Sequence, residues 1–188
     1  MVNESGPVAR RQAELRLRVG EHLDSGEVLL GAVWIARTSH VPLISKITQW
    51  QGAPHGLLGR NEPAPRAFPA GSTAADLDRH LPEDDTAMAL ALTGARLLML
   101  AVGEPPPAPA VVPPAGLLDR VKRLLAPAEP APLPPLAPVW QCPRAGLGAV
   151  AVSDPEGRLA LRFADGSGLS VDAPAMLATP FAEAAQRA

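Results

Sequence analysis

The chain has 188 residues, a formal net charge of −2, one cysteine and 23 prolines. This length fits one compact domain with attached segments. The near-neutral charge disfavours a nucleic-acid binder, because phosphate recognition uses a broad basic surface. A single cysteine excludes an intrachain disulfide, and the N-terminal residues do not follow the pattern of a secretory signal, so we expect a cytoplasmic protein.

The first predicted element is an amphipathic helix over residues 7–23. Its apolar stripe consists of Val8, Leu15, Val19 and Leu23. A strand is predicted next, because residues 28–36 read VLLGAVWIA and such an apolar run is typical of a strand buried on nearly both faces. Residues 37–81 lose this regularity and mix short apolar patches with proline and glycine, which predicts a long insertion outside the core.

The stretch LALTGARLLMLAV, residues 90–102, is apolar but contains Thr93, Gly94 and Arg96. A membrane span needs about 20 consecutive apolar residues, which this run lacks. As a helix it would place glycine in the middle, at a cost of about 1 kcal/mol relative to alanine. The alternation over residues 86–92 and the Thr-Gly-Ala-Arg turn favour two strands instead, so we predict a β-hairpin over residues 86–102.

Residues 104–138 carry more than half of the prolines, which predicts an extended arm. Within the arm, GLLDRVKRLLA predicts one short helix over residues 116–126. Its apolar residues are Leu117, Leu118, Val121, Leu124 and Leu125. Its basic residues are Arg120, Lys122 and Arg123. A helix this short is marginal alone in water, so another surface should cover its apolar face.

Three such surfaces remain open: the protein's own sheet, a partner protein, and an anionic membrane, to which each basic residue contributes about 1 kcal/mol. Of the three tryptophans, Trp34 and Trp140 fall in predicted strands and are expected in the core. Trp50 falls in the insertion and is expected to be partly exposed and available for contact. The predicted contact residues are therefore Trp50 and those of the arm helix.

Regular turns divide residues 139–173 into an antiparallel meander. Its predicted strands read VWQC, LGAVAVS, RLALRFA and LSVDA, separated by the turns PRAG, DPEG and DGSG. A C-terminal helix is predicted over residues 179–187, with Thr179 as its N-cap and Pro180 in its first turn.

No pattern in the sequence predicts catalysis, a metal or a cofactor. The chain has four histidines, His22, His40, His55 and His80. They lack the spacing of a helical metal site. Cys142 alternates with Trp140 in a predicted strand, which indicates a buried small side chain. The DGSG run at residues 165–168 is similar to a phosphate loop, but no lysine follows it, so it is interpreted as a hairpin turn.

Four phrases resemble, in this order, the bacterial PH-like domains, including the GRAM-related ones: DSGEVLLGAV, LALTGARLLML, WQCPRAGLGAV and LALRFADGSGLSV. The family pattern has a Gly-Glu lead-in, an L-x-L-T-x-x-R-L-L hairpin, a W-x-x-P-R strand and an F-x-D-G hairpin. These motifs match Gly26-Glu27, Leu90 to Leu98, Trp140 to Arg144, and Phe163 to Gly166. The resemblance covers a little under half of the chain.

The resemblance implies a mainly β fold: a seven-stranded split barrel capped by the C-terminal helix, here with an N-terminal helix and two unusually long insertions. It also implies a non-catalytic adaptor for lipid head groups, peptides or protein domains. Arg96 and Arg144 recur in the family pattern, and we expect them to cap turns or cover the rim rather than contact a ligand.

We therefore expect residues 1–188 to form one PH-like domain, an adaptor or scaffold that binds a protein partner. The core strands should lie within residues 24–36, 86–102 and 139–173. A peripheral membrane module that uses the basic helix is the alternative. A small-ligand-binding protein or enzyme is the reading that the sequence favours least.

Overall fold

Seven strands and three helices lie in the part of the chain that the computed structural model describes, residues 5–37, 68–83, 86–103, 133–152 and 158–187. The helices are α1 (Ser5–Gly20), α2 (Thr73–His80) and α3 (Ala175–Arg187). The strands are β1 (Leu29–Ile35), β2 (Met88–Thr93), β3 (Arg96–Val102), β4 (Leu136–Pro143), β5 (Leu147–Val152), β6 (Arg158–Phe163) and β7 (Gly168–Asp172). The fold is mainly β with a C-terminal helix, as the sequence predicted.

The strands form two antiparallel sheets, one with the order β1-β2-β3-β4 and one with the order β5-β6-β7. The sheets touch where Ala36, just after β1, pairs with Asp172 at the end of β7. A short 3₁₀ turn, Arg144–Gly146, links β4 to β5. The chain therefore passes from one sheet to the other between β4 and β5.

The predicted hairpin is confirmed by β2 and β3, in which Leu90 lies opposite Met99. The turn between the strands is held by Thr93, whose Oγ1 accepts the backbone N–H groups of Ala95 and Arg96 at 3.1 and 2.9 Å. Thr93 and Gly94, which would interrupt a helix, therefore lie where the chain reverses.

Strand β2 is buried on both faces, and its two faces carry different side chains. The larger side chains of Met88, Leu90 and Leu92 enter the core between the two sheets. Alanines 87, 89 and 91 face the opposite side, where they share a second apolar cluster with Leu15 and Val19 of α1. Small side chains on that face let a helix approach closely. Helix α1 thus covers the outside of the first sheet.

Helix α3 contacts strands of both sheets, chiefly β1 and β5. The contact with β1 is close at Gly31, where an added Cβ would lie 3.2 Å from the Phe181 ring. The helix begins at Ala175, so the expected start at Thr179 is wrong and Pro180 lies inside the helix. Proline there removes one backbone hydrogen bond near the helix start, and the burial of Phe181 and its neighbours outweighs that loss.

Residues 37–81 are not wholly outside the core, which corrects the sequence-based expectation. Helix α2 lies within this range, and Ala74, Leu77 and Leu81 are buried in the core between the sheets. Its N-cap is Ser72, whose hydroxyl accepts the N–H of Ala75. Eight residues present too few apolar positions for a helical period to stand out in the sequence.

The proline-rich region also ends earlier than expected, since β4 begins at Leu136 rather than at residue 139. Pro138 lies in this strand opposite Leu100, where the register with β3 shifts. An edge strand with an irregular register tolerates a proline that an inner strand would not. Composition alone had assigned residues 133–138 to the arm.

Replacing Leu90 by alanine should lower the free energy of unfolding by about 2 to 5 kcal/mol, because the fully buried side chain leaves a cavity in the core. Leu17→Ala is the matched control. Leu17 is 70% exposed, so its loss should change stability by less than about 0.5 kcal/mol. Urea denaturation followed by circular dichroism measures both values. Equal effects of the two substitutions would contradict the assignment of the core.

Candidate functional site

All of the contact residues predicted from the sequence lie outside the described residues. They are Trp50, Leu117, Leu118, Arg120, Val121, Lys122, Arg123, Leu124 and Leu125. The described residues show where the segments that carry them begin and end. Trp50 belongs to the segment between residues 37 and 68, and the others belong to the segment between residues 103 and 133.

Both segments begin at the same end of the first sheet. Strands β1 and β3 run in the same direction because each is antiparallel to β2, which lies between them. Ile35 lies opposite Met88, and the neighbouring Ala89 lies opposite Leu100. The ends of β1 and β3 are thus two strand spacings apart, about 10 Å. The sheet therefore brings together the starting points of the two segments predicted to make contacts.

Arg37 fixes the base of the first segment. Its guanidinium lies 3.2 Å from the Asp78 carboxylate and donates hydrogen bonds to the backbone oxygens of Asp78 and Leu81. Both charged side chains are mostly buried. Because Arg37 follows β1 and its partners lie at the end of α2, this contact joins the two described parts of the chain on either side of the segment.

Hydrogen bonds also fix the base of the arm. The N–H of Gly103 donates to the oxygen of Pro135 at 2.7 Å, so the two ends of the arm meet. The buried residue Leu133 is held by α1, since its N–H donates to Glu14 and its oxygen accepts from Arg18. Helix α1 therefore covers the sheet and also holds the point at which the arm returns.

Arg96 lies at the opposite end of the sheet and pairs with Glu27. Its Nε and Nη2 atoms lie 3.0 and 2.8 Å from the two carboxylate oxygens, a bidentate arrangement. The Thr93 hydroxyl donates to the same carboxylate at 2.6 Å, and Arg96 also donates to the His22 oxygen and the Gln141 side chain. The guanidinium thus joins the lead-in to β1, the hairpin and β4.

The pairing changes the acid–base behaviour of both groups. Hydrogen bonds from Arg96, more than any other cause, lower the pKa of Glu27 from 4.5 to about 2. The same pairing raises the pKa of Arg96. The Glu27 side chain is only 4% exposed. The expectation that Arg96 has a structural role is confirmed, because its donor groups bond to the protein itself.

Arg144 also acts within the fold. Its Nη2 donates to the oxygen of Ala185 near the end of α3, at 2.7 Å, and its Nη1 donates to the oxygen of Leu147 at 3.0 Å. A cation at this position satisfies a free carbonyl and complements the negative end of the helix dipole. Arg144 therefore links the C-terminal part of α3 to the start of β5 through hydrogen bonds.

The DGSG run is the turn between β6 and β7, as expected. Its side chains also cap helix α2, which the sequence did not predict. Asp165 accepts the N–H of Thr73 at 2.7 Å, and the Ser167 hydroxyl accepts the N–H of Ala74 at 3.1 Å. These are free N–H groups of the first turn of α2. Hydrogen bonds from Ser167 and then from Thr73 hold the pKa of Asp165 well below its usual range.

Trp140 completes the set of side chains around α2. Its indole N–H donates to the Asp76 carboxylate at 2.8 Å, which lowers the pKa of Asp76. We call Arg37, Trp140, Asp165 and Ser167 the α2 cradle. Sequence reasoning missed the cradle because its members lie far from α2 along the chain: Asp165 is 92 residues from Thr73.

The remaining candidates for chemistry are the Cys142 thiol and a metal site. Cys142 is buried in the core, and this burial raises the pKa of its thiol to about 11. Among the described residues, no three histidine, cysteine or carboxylate side chains are grouped as a metal ion would require. No helix in the described ranges is long and apolar enough to cross a membrane.

Comparison of the chain with protein-family models, with curated proteins and with solved structures gives no match.

The Glu27–Arg96 pair should make stability depend on pH in the acid range. Because folding lowers the pKa of Glu27, its contribution is fully present above pH 4.5, decreases below that value and is lost near pH 2. The contribution is roughly 3 kcal/mol, since one pKa unit corresponds to about 1.4 kcal/mol. Glu27→Gln should remove this part of the pH dependence in urea denaturation from pH 7 to 2.5.

Glu21→Gln provides the control for this experiment. Glu21 forms an exposed ion pair with Arg18, and such pairs contribute at most about 1 kcal/mol. The control should keep the pH dependence of the wild type. If Glu27→Gln and the wild type lose stability in parallel as the pH falls, the pair does not have the role described.

Cys142 should react slowly with a thiol reagent in the folded protein. At pH 8 a thiol with a pKa of about 11 is almost entirely protonated, and the core also excludes the reagent. Reaction with an aromatic disulfide should be complete only after unfolding in urea. A rate in the native state close to that in urea would contradict the burial of this side chain.

Proposed function

We propose that this chain is a non-catalytic interaction module, an adaptor or scaffold, that binds a protein partner through the predicted arm helix and Trp50. The observation that carries the proposal is the common origin of the two segments at one end of the first sheet. Contacts at Arg37 and at Leu133 fix the bases of both segments. Two anchored segments that start side by side can engage one partner together.

We also infer that the domain is PH-like, a split barrel. The inference is supported by the four-plus-three strand order, the pairing of Ala36 with Asp172 between the sheets, and the C-terminal helix against β1 and β5. The resemblance of the sequence motifs points the same way. Domains of that type act as adaptors, which agrees with the proposed role.

The edges of the described strands favour contact through the insertions over strand addition to a sheet. Ala36, just after β1, pairs with Asp172 at the end of β7, so these two edges are partly used by each other. Strand β4 also carries Pro138 and Pro143, which cannot donate to an added strand.

The buried charges are arranged for structure rather than for a reaction. Glu27 pairs with Arg96, and Arg37 pairs with Asp78. A catalytic acid or base must present its titratable group to a substrate. The pairs described here are turned towards each other, which supports a non-catalytic role. We place this role in the reducing cytoplasm, where a lone thiol such as Cys142 is stable.

The arm helix can be tested with two sets of substitutions in the full-length protein. Val121→Asp and Leu124→Asp place a charge on the apolar face, and should abolish retention of a specific partner on immobilised protein, identified by mass spectrometry. Arg120→Gln with Lys122→Gln and Arg123→Gln removes the basic charge and should leave retention of that partner largely intact. Both variants should unfold at the urea concentration of the wild type.

Sedimentation with anionic vesicles tests the membrane alternative. The proposal predicts no sedimentation of the protein with vesicles of 30% phosphatidylserine in phosphatidylcholine at physiological salt. Sedimentation that the three glutamine substitutions abolish, and that salt weakens, would establish the membrane alternative instead. A partner that binds the aspartate variants as well as the wild type would refute the role of the arm helix.

A further inference from the structure

We draw no further inference here: the strongest candidate, the outer face of α1 on which Arg10, Ala13 and Leu17 are exposed, carries nothing because no contact in the described part of the chain shows what would cover it.

Discussion

The central strand β2 of the first sheet is buried on both faces, and much of the rest of the structure depends on how those faces are covered. Larger side chains of β2 meet the second sheet, and its alanines meet α1. The second sheet covers the inner face of β2 and α1 covers its outer face, so both faces of this strand are occupied by the chain itself. Loops that begin at the ends of strands often carry contacts with other molecules.

The two ends of this sheet are stabilised differently. At one end Arg96 and Glu27 form a buried pair that joins three parts of the chain, with hydrogen bonds to Thr93 and Gln141 as well. Since both charges are paired and further hydrogen-bonded, their burial is compensated. At the other end Arg37 and Leu133 hold the bases of the long segments. The end of the sheet at Arg96 is thus stabilised by a polar network within the fold. The segments with the predicted contact residues begin at the other end.

Helix α2 combines apolar burial with polar contacts at both of its ends. Its apolar residue Leu77 is part of the core, yet its ends are held by Asp165 and Arg37, which lie on other elements. Ser72 of the same segment also caps the first turn of α2, and α3 likewise receives a cap from a distant residue, Arg144. Helix α2 is therefore part of the core, and contacts with distant residues fix both of its ends.

The sequence by itself determined the elements whose signal is local. The alternation of Met88, Leu90 and Leu92 with alanines predicts the β2 strand and both of its faces, and the Thr-Gly turn predicts the hairpin, because period and turn chemistry are properties of neighbouring residues. It did not determine α2, the early start of β4 or the start of α3 at Ala175. Only the tertiary structure decided those, as it decided that Asp165 caps α2 and that Arg96 pairs with Glu27. These contacts join residues tens of positions apart, and no local pattern encodes which distant side chain will satisfy a free backbone group or a buried charge.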